Sequence, residues 1–129
     1  MPAVRRVRAV PRNRPMIELY QFGLVVIDGR QYTSDVLIYP DGRIDPSWWR
    51  KEGHRLALED IQPLIDQAPE VMLAGTGASG LMRIDAELRD FLAGSGIEFI
   101  AAPTKQAVSL YNERLLRKQK VAACLHLTC

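Results

Sequence analysis

The segment after a predicted strand at residues 71–75 has the residue types of a phosphate-binding loop. Residues 75–80, here called the glycine loop, read Gly-Thr-Gly-Ala-Ser-Gly and match the spacing G-x-G-x-x-G. A dinucleotide site also needs its third glycine inside the opening helix and an acidic residue at the end of the next strand. Here the helix pattern begins only at Asp85, and Glu98 lies near the start of its strand. We therefore favour a glycine turn that lets neighbouring backbones approach closely, although its N–H groups could hold a small anion.

Two cysteines and a histidine end the sequence in the order Cys124-x-His126-x-x-Cys129. On a strand, Cys124 and His126 point to one face, but no further ligand follows at a spacing typical of zinc, and the other histidine is His54, far upstream. The pattern favours buried structural residues and no metal. Strand alternation also puts a Cys129 nucleophile and a His126 base on opposite faces unless the chain end curls over.

The most unusual local composition is a pair of tryptophans followed by basic residues. Trp and Arg are enriched at protein interfaces, and we expect one indole to lie in the core and the other at the surface. The candidate partner contacts are Trp48, Trp49, Arg50 and His54.

Two aspartates, Asp35 and Asp45, are further candidate acids. Each stands beside turn residues, where an aspartate side chain commonly accepts hydrogen bonds from the backbone. We therefore predict that both cap turns.

The elements that must position these residues fall into two regions. Between residues 16 and 39, apolar runs separated by Asp28-Gly29 predict β-hairpins. Residues 58–67 predict a short helix, with Pro63 in or near its first turn, where proline is tolerated.

The second half of the chain alternates strands with helices. Strands are predicted at residues 71–75, 97–101 and 121–127, and helices at 85–92 and 104–118. Short links make three parallel strands with right-handed crossovers the simplest topology. The predicted fold is a single three-layer α/β domain, residues 16–129, with a mixed, mainly parallel central sheet and an N-terminal β-hairpin region.

Ligands of such sheets bind outside the carboxyl ends of the strands. That rule selects the loops after the three predicted parallel strands, provided that the last strand is parallel. The candidate ligand-binding residues are Gly75, Thr76, Gly77, Thr104 and Cys129.

Composition places these elements in one domain with a basic leader. The chain has 129 residues, 47% of them hydrophobic, and a formal net charge of +2. Five of its 17 basic residues are arginines in residues 1–15. The rest of the chain has 12 basic and 15 acidic residues and is therefore mildly acidic. We predict a disordered leader, neither a secretory signal nor a nucleic-acid arm. No uncharged run reaches a membrane span, and free thiols favour the cytoplasm, or mitochondria only if the leader is a presequence.

Several short motifs, taken in order, resemble the Mth-type (Mth938-like) domain family. They are Tyr32-x-x-Asp35-Val36-Leu37-Ile38, Trp49-Arg50, Gly53-His54, Gly75-Thr76-Gly77, Pro103-Thr104, Tyr111-Asn112 and Leu125-His126-Leu127-Thr128-Cys129. The resemblance spans residues 16–129 and implies a layered α/β fold with a hairpin region and no established enzymatic activity. For the family's mitochondrial branch it implies a role in assembling respiratory complex I.

Two hypotheses of different classes follow. The first is a non-catalytic binding or assembly domain with a protein partner and no cofactor, because no complete catalytic or metal constellation is present. The alternative is a small-molecule or anion-binding enzyme that uses Gly75-Thr76-Gly77.

Overall fold

An antiparallel meander of three strands opens the part of the chain that the computed structural model describes, residues 16–129. Its strands are β1 (Ile17–Gln21), β2 (Leu24–Ile27) and β3 (Arg30–Tyr32). Gly23 and Gly29 stand in the two turns with φ values of 77° and 83°, which glycine adopts without steric cost. The meander confirms the predicted hairpins, and the predicted leader, residues 1–15, lies outside the described residues.

The second half contains the predicted strands and helices in the predicted order, with one additional strand of two residues before its first helix. The strands that follow the meander are β4 (Val36–Ile38), β5 (Ile44–Asp45), β6 (Arg55–Leu56), β7 (Val71–Thr76), β8 (Arg83–Ile84), β9 (Glu98–Ala102) and β10 (Val121–His126). The helices are a 3₁₀ turn (Leu58–Ile61), α1 (Gln62–Ile65), α2 (Ala86–Gly94) and α3 (Thr104–Leu116). Pro63 lies in the first turn of α1, where its missing N–H costs nothing.

Five strands form the main sheet, in the order β5-β4-β10-β7-β9. β10 and β9 both pair with β7 in parallel, which confirms the three predicted parallel strands. β4 pairs antiparallel with β10 and with β5. The expectation of a mainly parallel sheet therefore needs correction: the pairings are two parallel and two antiparallel. The reason is that the β4–β5 hairpin adds to the open edge of β10.

The core lies on both faces of this sheet, as the alternation along β7 demonstrates. Val71 and Leu73 belong to one apolar cluster, which includes Tyr111 and Leu115 of α3. Met72 and Ala74 belong to a second cluster with Leu88 and Leu92 of α2. Parallel strands buried on both faces read as continuous apolar runs, and this is why β7 and β10 were recognisable in the sequence.

Helix α3 also holds the meander. The amide of Asn112 accepts a hydrogen bond from Ile17 N at 2.9 Å and donates one to Ile17 O at 2.7 Å. Among residues 16–129, no helix has the length and apolarity that crossing a membrane requires.

Candidate functional site

The carboxyl ends of β7, β9 and β10 meet at one edge of the sheet, here called the carboxyl edge. The segments leaving it are the glycine loop, the start of α3 and the tail, residues 127–129. β4 runs antiparallel to β10, so Asp35, directly before β4, reaches the same edge. Topology thus brings residues from opposite ends of the chain together.

Asp35 is paired with a buried arginine. The Arg50 side chain is only 5% exposed, and its Nη1 lies 2.9 Å from Asp35 Oδ2. Arg50 Nε and Nη2 also donate to Gly53 O, at 3.2 and 2.7 Å, and the guanidinium lies 4.5 Å from the centre of the Trp48 ring. A buried guanidinium is tolerated only with such partners.

Asp35 also binds the end of β10. Its Oδ1 accepts a hydrogen bond from Leu127 N at 2.8 Å, and its Oδ2 lies 2.8 Å from His126 Nδ1. Burial opposes ionisation of Asp35, but the hydrogen bonds from Leu127, His126 and Arg50 outweigh it and hold the pKa of this carboxyl below its usual value. The prediction that Asp35 caps a turn missed this long-range role, whereas Asp45 does accept a bond from Ser47 N at 3.0 Å.

The contact with Asp35 places a hydrogen on one ring nitrogen of His126, Nδ1. An ionised carboxylate only accepts hydrogen bonds, so the hydrogen must be on Nδ1. Arg50 Nη2 lies 3.2 Å from the same nitrogen, but it too is a donor, and Asp35 is the acceptor that both share. His126 Nε2 is buried without a hydrogen-bond partner.

His54 and Cys129 lie beside that nitrogen's ring. The His54 and His126 ring centres are 6.0 Å apart, at an interplanar angle of 77°, and His54 Nε2 lies 3.3 Å from Cys129 Sγ. One donor atom of each of the three residues lies within 4.8 Å of those of the other two. We call His54, His126 and Cys129 the tail cluster.

Cys124, by contrast, belongs to the core. It is fully buried, and burial raises the pKa of its thiol to about 12. Both cysteines of the described residues are free thiols. Cys124 and His126 both lie on β10, two residues apart and so on one face, as the sequence predicts. The tail leaves the strand after His126 and brings Cys129 beside His126 and His54.

The glycine loop uses its backbone groups inside the fold. Gly77 N donates to Thr104 Oγ1 at 2.8 Å, and Thr104 Oγ1 donates to His126 O at 2.6 Å. Ala78 N donates to Thr128 O at 2.5 Å, and Gly80 N donates to Gly77 O at 3.1 Å. These three loop amides are therefore engaged, and ligand binding by the loop stays a prediction.

Two glycines of the loop allow close backbone approach. A Cβ at Gly75 would lie 2.9 Å from Thr104 Oγ1, and a Cβ at Gly77 would collide with the backbone of Cys129. Gly77 also has a φ of 104°, which disfavours any other residue. Gly75, Gly77, Thr104 and Cys129 thus meet at the carboxyl edge, with buried Thr76 beside them.

The two tryptophans have opposite environments. Trp48 is buried and donates from Nε1 to Asp60 O at 2.9 Å, whereas Trp49 is 76% exposed. Both line a groove of about 510 Å³, here called the Trp49 groove. Its apolar walls also include Leu37, Tyr39 and Pro63, and its charged rim includes Asp45, Lys51, Glu59 and Asp60.

Two features escaped sequence reasoning: the Asp35–Arg50–His126 network and the approach of His54 to the tail. The contacts of Asp35 and Arg50 with His126 span 91 and 76 residues, beyond the reach of any local pattern. One signal was present. Asp35, Arg50, His54 and the tail all occur in the motifs that carry the family resemblance.

Comparison with known proteins agrees with that resemblance. A family model described as a protein of unknown function (DUF498/DUF598) matches residues 17–126. A solved structure named MT938 is 30% identical, has a TM-score of 0.76, and is matched over 89% of this chain and 99% of its own. Conserved hypothetical protein PH1505 from Pyrococcus horikoshii OT3 is 33% identical, with a TM-score of 0.74 and coverage of 88% and 98%.

A more distant structure shares the fold. A protein from Bordetella pertussis, described as a Mth938-like domain, is 18% identical over 95% of this chain and 92% of its own, with a TM-score of 0.67. No curated protein matches the sequence.

Proposed function

Because the chain belongs to the DUF498/DUF598 family, a family of unknown function with the Mth938-like fold, we propose its function from its own surface. It is a non-catalytic binding domain that docks a protein partner on the Trp49 groove. The observation that carries this proposal is the 76% exposure of the Trp49 side chain beside a groove with apolar walls.

The groove has a rigid wall. Trp48 is held by its hydrogen bond to Asp60 O and by the guanidinium of Arg50 against its ring. Arg50 is itself fixed by Asp35 and Gly53. A preformed wall lowers the entropy cost of binding, and tryptophan is one of the residue types enriched among the residues that contribute most to binding at interfaces.

The charges of the rim indicate what the partner presents. The charged residues that line the groove are three acids and one base: Asp45, Glu59, Asp60 and Lys51. We expect a partner segment that inserts an apolar side chain beside Trp49 and carries Lys or Arg next to it, because complementary charge favours encounter and register. An assembly role and a cytoplasmic location belong to the same proposal.

The test compares two exposed aromatic residues on different parts of the domain. Phe22, 67% exposed in the β1–β2 turn, lies outside the groove and is the control. Full-length chain carrying Trp49→Ala or Phe22→Ala is used to capture proteins from native lysate, and bound proteins are quantified. Trp49→Ala should lower capture of the specific partner at least about tenfold, while Phe22→Ala leaves it unchanged. Equal capture by both variants, or no specific partner of the unchanged chain, would overturn the proposal.

A further inference from the structure

The tail cluster contains a buried ring nitrogen that forms no hydrogen bond within the described residues. Among residues 16–129, two buried side-chain nitrogens lack a partner: Arg114 Nε and His126 Nε2. The guanidinium of Arg114 is otherwise bound to Glu98 at 2.6 and 2.8 Å. His126 has no such compensation on its Nε2 side, although the residue is only 6% exposed. A buried nitrogen of this kind normally has a partner.

The other side of the same ring is arranged as in metal sites. Asp35 Oδ2 lies 2.8 Å from His126 Nδ1. This contact puts a hydrogen on Nδ1, so that in the neutral imidazole the lone pair is on Nε2. Histidine ligands of metals commonly donate their other N–H to a carboxylate, which fixes the tautomer and orients the ring.

Two more donors face this region. Tetrahedral zinc with N and S ligands places its donor atoms roughly 3.3–3.8 Å apart. His54 Nε2 and Cys129 Sγ are already 3.3 Å apart, and one ring nitrogen of each histidine and the Cys129 sulfur all lie within 4.8 Å of one another. His54 and Cys129 are exposed side chains, so they can close the remaining distance while His126 stays fixed.

The backbones carrying the three residues are also held. Leu127 N binds Asp35, and Thr128 O accepts from Ala78 N in the glycine loop. His54 O accepts from Arg83 N at 2.8 Å, at the start of β8. Backbone hydrogen bonds thus hold the tail against Asp35 and the glycine loop, and hold His54 against β8.

The positive charge of Arg50 does not argue against a cation here. Its guanidinium forms an ion pair with Asp35 at 2.9 Å, so the pair brings little net charge to the cluster. A cysteine that ligates a metal is deprotonated and supplies a negative charge.

We propose that His54, His126 and Cys129 bind one Zn²⁺ ion, with His126 Nε2 as the buried ligand and Asp35 as its outer partner. Two imidazoles and one thiolate form a ligand set that favours Zn²⁺ over the hard cations Mg²⁺ and Ca²⁺, which prefer oxygen ligands. Three protein ligands leave one tetrahedral position for water or a small ligand. A reactive Cys129 thiol paired with His54 is the competing interpretation, but it leaves His126 Nε2 unexplained.

The experiment titrates full-length chain, prepared without a polyhistidine tag, with ZnCl2 in competition with a chromophoric chelator. Co²⁺ is then substituted to report thiolate ligation through its charge-transfer absorption. We expect one zinc per chain and a charge-transfer band. His54→Gln and Cys129→Ser, both at exposed positions, should each lower the affinity by more than about 100-fold, and Cys129→Ser should abolish the band. Asp35→Asn should lower the affinity by about 10- to 100-fold, as outer partners do.

Cys124→Ala is the matched control, because it removes the other thiol of the same strand end. It should keep both the affinity and the charge-transfer band. The proposal is wrong if the unchanged chain does not compete for zinc, if His54→Gln and Cys129→Ser bind as tightly as it does, or if the band disappears with Cys124 and not with Cys129. Trp49→Ala should bind zinc normally, so failure of the docking proposal would be seen separately.

Discussion

The glycine loop and the tail leave neighbouring strands at the same edge of the sheet, but they use their polar groups differently. In the loop, the amides of Gly77, Ala78 and Gly80 all have acceptors within the protein. In the tail, His126 is buried with one ring nitrogen bound and the other without a partner. The loop has the familiar sequence motif, and the tail has a buried ring nitrogen without a hydrogen-bond partner.

The difference teaches where to look for a site in such a domain. A glycine-rich turn after a strand is needed whenever backbones cross closely, whether or not a ligand is bound. Here Thr128 and Cys129 pass so close to Gly77 that a Cβ at this position would collide with their backbone, which is reason enough for a glycine. His126 Nε2, a buried and oriented ring nitrogen without a hydrogen-bond partner, has no such structural explanation.

Loss of Asp35 should have the largest effect on the tail side of this comparison. Asp35→Ala leaves Arg50 buried without its ion-pair partner and removes the acceptor of Leu127 N. We expect a loss of about 3–5 kcal/mol in the free energy of unfolding, measured by urea denaturation. Asp45→Ala removes only an exposed turn contact and should cost about 1 kcal/mol. Equal losses in the two variants would mean that Asp35 is no more than a turn cap.

The hydroxyl of Thr104 connects the loop to the tail, and its removal should come next in size. Thr104→Val leaves Gly77 N and His126 O buried without this partner. The expected loss is about 2–4 kcal/mol, from two unsatisfied groups at about 1–2 kcal/mol each. Thr104→Ser keeps the hydroxyl and should lose clearly less in the same urea titration. If the serine variant is as unstable as the valine variant, packing and not hydrogen bonding joins the two segments.

Alanine substitutions at two glycines distinguish the cost of a strained backbone from the cost of a collision with the tail. Gly29 and Gly77 both have positive φ, but a Cβ at Gly29 meets nothing within 4 Å, whereas one at Gly77 meets the tail backbone. Gly29→Ala should cost about 1–2 kcal/mol from its backbone conformation. Gly77→Ala should add about 1–3 kcal/mol, because the tail must shift. Thermal or urea unfolding measures both, and a Gly77 variant no worse than the Gly29 variant would contradict the close packing.

Acid should remove the contribution of Asp35 gradually. Its pKa in the folded protein lies below the usual 3.8, so the folded state binds fewer protons than the unfolded chain in that range. Its stabilisation is therefore complete well above pH 3.8 and is lost as the pH falls toward the folded-state pKa. The stability gap between the unchanged chain and Asp35→Asn, measured by urea titrations at several pH values, should narrow below about pH 4. If the stability difference between the two chains widens on acidification, the pKa of Asp35 is not lowered in the folded protein.

Much of the fold was predictable because its signals are local. β7 and β10 are continuous apolar runs, and the segment between residues 71 and 127 alternates strands with helices at short links. The antiparallel addition of β4 to β10 was not predictable in this way, because strand pairing between distant segments leaves no periodic signal. The sheet was therefore expected to be more parallel than it is.

The meeting of the candidate residues at one edge was predictable from topology, but their contacts were not. Gly75, Gly77, Thr104 and Cys129 do lie together at the carboxyl edge, and ligand binding there stays a prediction. Helix α3 begins at Thr104, after Pro103, and the Thr104 hydroxyl binds the loop and β10, a contact that no local pattern indicates. The network around Asp35 required pairing partners that only the folded chain brings together.

The clasp between Asn112 and Ile17 has a consequence for how this domain behaves in a crowded solution. β1 is an edge strand of the meander, and the exposed backbone of an edge strand is a template on which another chain can add a strand and start aggregation. At Ile17 both backbone groups are bound by the Asn112 amide, and the register shifts between Ile17 and Leu19. A side chain from α3 therefore takes the place that an invading strand would need, and it protects this edge from polymerisation.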